Sequence, residues 1–194
     1  MASVSRSEYV GQSAVPDRGT RGSIRRSVNV ADRWRTKLHN WLKAGCYALV
    51  SGTTASLAIT FALLTLARAE RKGSLQPINS TSHWLHGERA GLVAQADAAH
   101  TLVGYATHHA SAWFWALLFE RWLVARPPRA VVALLRDGAT MAAIAAAVDY
   151  GITPKRLTPG WELVLSKRAI ALAYVAMAFG LTTGALVTQR LRNH

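Results

Sequence analysis

The sequence predicts an all-α fold, an integral membrane bundle of four transmembrane helices with short interfacial helices between them. Three observations predict it. The apolar residues, 51% of 194, are gathered into four blocks and lack the spread-out helical or strand alternation of a soluble domain. Each block is about 20 residues long, the length a bilayer requires. Lys and Arg collect at the flanks, where lipid headgroups would lie. The mean hydropathy is only +0.12, because residues 1–44 and 69–98 are polar. The length fits one domain.

Residues 1–27 are rich in Ser, Arg and Gly and poor in large apolar side chains, which predicts a disordered basic tail. No apolar run follows a basic start, as a secretory signal peptide needs; Glu8, Asp17 and Pro16 also argue against a transit peptide. Over 28–43, Trp34, Leu38, Trp41 and Leu42 share one helical face, with Arg33, Arg35, Lys37 and Lys43 largely off it. That is an amphipathic interfacial helix, or the first turns of the helix that follows.

The first span is 44–67, without a charge, and Gly52 lies on a small surface suited to close helix approach. Cys46, the single cysteine, permits no internal disulfide and reads as a small packing residue, with palmitoylation as the alternative. In the connection 73–98, Asn79 or Ser80 is placed to cap a short helix carrying His83 and His86. Asn79-Ser80-Thr81 matches a glycosylation sequon, read as chance. The second span is 99–124, and Pro127-Pro128 then forces a turn. The third, 130–152, is the weakest of the four, with Arg136 and Asp137 as buried-charge candidates and an Ala-rich run barely apolar enough for lipid. Thr158 before Pro159 predicts an interfacial helix over 159–165 anchored by Trp161. The fourth span, 168–188, carries Ala176, Gly180 and Gly184 at four-residue spacing, a face for helix packing.

The candidate site is a polar stripe on the second span. At 100° per residue, Asp97, His100, Gly104, His108 and Ser111 fall within about 80°, while His109 points elsewhere. Ionisable groups at membrane depth must face the bundle interior or a wet cavity. Three readings compete: a hydrogen-bonded cluster holding helices together, a proton or solute pathway, and a haem or metal site using His83, His86, His100 and His108. His100 and His108 are about 12 Å apart along the axis, too far to share one ion, and no cofactor is predicted. Lys155, Arg156, Lys167 and Arg168 are candidates for a lipid headgroup, with ordinary interfacial anchoring as the alternative.

The net charge of +13 raises nucleic acid as a partner, but nine of the 23 Lys and Arg precede the first apolar block and most others flank the blocks. The predicted partners are the bilayer and a second copy or another membrane protein, with no nucleic acid. Lys and Arg bias places both termini in the cytoplasm when the tail is counted, and the opposite when it is not. The strings VDYGITPKRLTPGWELVLS, NSTSHWLHG and GYATHHASAWFWALLFE resemble a group of small bacterial multi-pass inner-membrane proteins with no established activity, over residues 75–194. The resemblance implies a membrane bundle and carries no catalytic residues. The expectation is a non-enzymatic membrane component or accessory subunit.

Overall fold

The structure is a computed structural model that describes residues 18–192, so residues 1–17 of the expected tail lie outside the described residues. Six α-helices follow: α1 (Arg18–Ala69), α2 (Gln76–Ser80), α3 (His83–His86), α4 (Val103–Val124), α5 (Val131–Gly151) and α6 (Lys167–Arg192). Short 3-10 and π turns complete the connections, and no strand occurs among the described residues. The chain divides into a unit ending at Leu38 and one beginning at His39. In the first, Trp34 and Leu38 are exposed and the Lys37 ammonium sits 5.1 Å over the Trp34 ring.

Three stretches are long and apolar enough to cross a membrane: Asp32–Ala69, Val131–Gly151 and Lys167–Arg192. The second predicted span, α4, has the length at 22 residues but is not among them. Its His, Ser, Thr and Trp residues dilute its apolar character. By contrast α5, the weakest of the four from sequence, qualifies.

Within the second unit, paired contacts set the helix directions. Against α1, His108 of α4 reaches Ser56, Trp113 reaches Thr53 and Gly52, and the Arg121 guanidinium lies over Trp41. As α4 advances α1 recedes, so the two are antiparallel. Helix α6 also opposes α1: Gly180 faces Ala55, Gly184 faces Ser51, and Arg192 lies over Tyr47. Helix α5 opposes α6 through Asp149 with Tyr174 and Arg129 with Gln189. The result is an up-down-up-down bundle.

Small residues make the α1–α6 approach close. A side chain at Gly180 would begin 2.5 Å from the Ala55 Cα, and one at Gly184 would meet the Ser51 backbone. The Thr54 hydroxyl donates to the Gly180 carbonyl at 2.9 Å across this seam. Gly52 instead receives Trp113 of α4, and Ala176 is half-buried. Cys46, expected as a packing residue, is exposed, because it lies on the outer side of α1.

The connections 70–102 and 152–166 pack over one end of the bundle. Asn79 is fully buried there and is not a helix cap: it lies inside α2, whose start is set by Leu75 and Pro77. Its amide donates to the Val93 and Gln95 carbonyls at 2.8 and 2.9 Å, and its oxygen accepts from Thr101 at 2.7 Å. Ser80 is also interior, and Ser82 precedes α3. The helix expected over 159–165 shrinks to one 3-10 turn, Trp161–Leu163. Gly160 stops it, with φ +79° and the Ser80 carbonyl 2.5 Å from where a Cβ would stand. Only glycine meets both demands. Trp161 therefore turns inward, 4% exposed, and is no interfacial anchor.

Glu70 ties the end of α1 to the start of α6. It accepts from the Ser166 N–H at 3.0 Å and from the Ser166 hydroxyl, which hold its carboxyl below the usual carboxylate range. Asn79→Ala leaves the carbonyls of Val93 and Gln95 without their donor. The expected loss is about 1–3 kcal/mol in thermal unfolding in detergent, and an unchanged unfolding temperature would show that Asn79 does not hold this end together.

Candidate functional site

Helix α4 buries Gly104, His108, Ala112, Trp115, Ala116, Phe119, Glu120 and Leu123, one continuous helical face. The predicted stripe divides along it. Asp97 caps the turn before α4, accepting from the His100 N–H at 2.5 Å, with the His100 ring Nδ1 at 2.8 Å. The backbone N–H of His100, then its ring, holds the Asp97 carboxyl below the usual range. Both side chains are part-exposed, outside the bundle core. Gly104 lies against the Ile78 carbonyl, whereas His108, Ser111 and Trp115 turn to a cavity deeper in the bundle.

That cavity has a volume of about 590 Å³ and lies between α4, α5 and α6 under the two connections. Its aromatic wall is Trp84, Phe114, Trp115, Trp161 and Tyr174. Its titratable groups are His108, Asp149 and Tyr174, and among the described residues no Lys or Arg lines it. The Tyr174 hydroxyl donates to Asp149 Oδ2 at 2.7 Å, the only hydrogen bond to this carboxylate among the described residues. His108 is 4% exposed, with Nε2 3.3 Å from the Ser56 carbonyl and its ring 5.9 Å from Trp161. Trp161 in turn packs 5.7 Å from Tyr174, so three rings run in sequence along the wall. The Trp161 indole N–H is buried without a partner among the described residues.

The neighbouring His109 also engages α1, through Nδ1 and the Ser56 hydroxyl at 2.8 Å. A serine–histidine hydrogen bond suggests a nucleophile and base. Here Ser56 is wholly buried and no carboxylate orients the far side of His109 among the described residues, so the pair serves as a helix clasp.

The histidines proposed as ligands do not converge. Both ring nitrogens of His83 face backbone carbonyls, Ser80 at 3.1 Å and Lys155 at 3.0 Å, so neither is turned toward the other histidines. His86 stacks 4.6 Å from His100 and faces the Ala99 carbonyl. His108 lies in the cavity wall. Among the described residues no three His, Cys, Asp or Glu side chains are grouped to hold a metal ion.

Of the charged pair on α5, Asp137 is buried and binds Arg129, whereas Arg136 is exposed and is no buried charge. Adjacent helical positions diverge by about 100°, so only one faces inward. Lys155, Arg156, Lys167 and Arg168 are exposed; Arg156 donates to the Trp84 carbonyl at 3.2 Å, and nothing draws the four into one pocket.

Glu120, wholly buried, was not singled out from sequence. It accepts from Ser51 of α1 and from Thr188 of α6 at 3.1 Å, with Arg192 3.9 Å away. The signal was present: an acid within an apolar block is as informative as a histidine. No family model, curated protein or solved structure matches this chain.

The two adjacent histidines differ in what they hold. His108→Ala removes buried ring packing against Trp161 and is expected to lower stability in detergent by about 2–3 kcal/mol. His109→Ala removes one side-chain hydrogen bond at a part-exposed site, an expected loss of about 1 kcal/mol or less. Equal losses in paired thermal melts would contradict this division.

Proposed function

We propose that this protein is a non-enzymatic, four-span component of the bacterial inner membrane that holds a small amphipathic molecule in the cavity between α4, α5 and α6. The observation that carries this reading is the cavity itself. Its volume of about 590 Å³ falls within the usual range for small-molecule sites. Aromatic walls with a few convergent polar groups, including the unpartnered Trp161 N–H, suit a ligand with an apolar body and a polar end.

Four crossings are supported by the antiparallel course of α4 along α1 and by Trp122, which is exposed on α4. The polar face that lowers its apolar character is turned into the bundle, where hydrogen bonds meet it. Exposed Leu49, Leu57, Phe61, Phe179 and Val187 on α1 and α6 suit contact with lipid or a second membrane protein. The Lys and Arg bias, tail included, supports cytoplasmic termini, and the resemblance supports the inner membrane. The cavity then lies toward the outer face.

Two experiments test this. In a Cys46→Ser background, Glu88→Cys reacts with a membrane-impermeant maleimide added outside spheroplasts and Arg126→Cys does not. Labelling of both from one side would show that α4 fails to cross. Native mass spectrometry of the detergent-purified protein shows a small molecule bound beyond the chain mass, and Ser111→Phe, which fills the cavity, removes it. A bare chain in both samples would overturn the binding reading.

A further inference from the structure

We infer that the ligand of this cavity is an organic cation, an amine or quaternary ammonium on an apolar body. The inference rests on the binding reading above and names its ligand class. Two features carry it.

The first is charge. Among the described residues Asp149 is the one carboxylate in the wall, and neither Lys nor Arg lines the cavity to neutralise it. The chain carries 23 Lys and Arg against 10 Asp and Glu, so a cavity with a lone acid runs against the composition of the whole molecule. The other acids of the bundle interior have cationic neighbours: Asp137 has Arg129, and Glu120 has Arg192. Asp149 has only the Tyr174 hydroxyl, a neutral donor that occupies one oxygen. Asp149 is half-buried, where an opposite charge is screened less than in water, and a positively charged ligand supplies the missing partner.

The second is the wall. Trp84, Trp115 and Trp161, with Phe114 and Tyr174, line the same space. The faces of aromatic rings carry negative charge density and attract cations, Trp most strongly, and aromatic cages of this kind recognise quaternary ammonium groups. An anionic ligand would meet Asp149 and these ring faces with no compensating cation. A neutral ligand would use the rings and leave the carboxylate unmatched.

The probes are benzyltrimethylammonium and its neutral carbon isostere, neopentylbenzene, which share shape and differ in charge. Equilibrium binding of each to the full chain in lipid nanodiscs is measured with empty nanodiscs subtracted. The cation is expected to bind at least tenfold more tightly than the isostere. Asp149→Asn, which keeps the acceptor for Tyr174, is expected to abolish that preference, and Asp149→Glu to retain it. Retained isostere binding by Asp149→Asn shows that the variant is folded; if it binds neither probe, the wild-type comparison decides. Equal binding of the two probes by the wild type, or a preference that survives Asp149→Asn, would overturn the cation assignment while leaving the cavity a small-molecule site. Binding of neither probe by the wild type would overturn both.

Discussion

The structure depends on the hydrogen bonds that join the inner face of α4 to its neighbouring helices. In a bundle interior the local dielectric is low, so an unmet carboxylate or imidazole is costly and a met one fixes geometry firmly. Glu120 is the most demanding case. It draws Ser51 of α1 and Thr188 of α6 onto one carboxylate, which sets the rotation of three helices together. Three turns earlier on α4, His108 and His109 take the carbonyl and the hydroxyl of the same Ser56. Two such points leave α4 neither free to turn nor free to slide against α1.

The remaining space is divided unequally. Gly180 and Gly184 let α6 come close to α1, and Gly138 lies against Thr182 and Ala178 on the α5 side. At the capped end the cavity is lined by the large rings of Trp115, Trp161 and Tyr174, the last two 5.7 Å apart. Bulky rings hold elements apart. One part of the bundle is therefore sealed by small residues and another propped open by aromatic ones.

Much of the helix plan was legible, because apolar blocks and Gly or Pro breaks record local physics. The polar face of α4 announced itself through His100 and His108. What helical geometry within one segment does not carry is the identity of the partner on the other helix. Asp97 and His100 satisfied each other at the cap, so half the stripe never reached the core. Trp161 was read as an anchor because Thr158-Pro159 resembles a helix start; Gly160 broke that helix and turned the indole inward. Asp149 and Tyr174 are far apart in sequence, and their pairing needs the antiparallel docking of α5 on α6.

The cavity is fixed by bonds and so differs from a packing fault. His83 bridges the Ser80 and Lys155 carbonyls, joining the two connections above it. Thr158 reaches back to the Lys155 carbonyl and forward to Glu162, which holds the segment around Trp161. Exposed Ser111, Phe114 and Leu157 lie on its rim, so the space opens to the outside and an occupant can enter it. A lipid chain would satisfy the rings and strand Asp149 and the Trp161 N–H; water would satisfy those two and wet the rings. A molecule that is apolar along its body and charged at one end meets both halves of the wall at once.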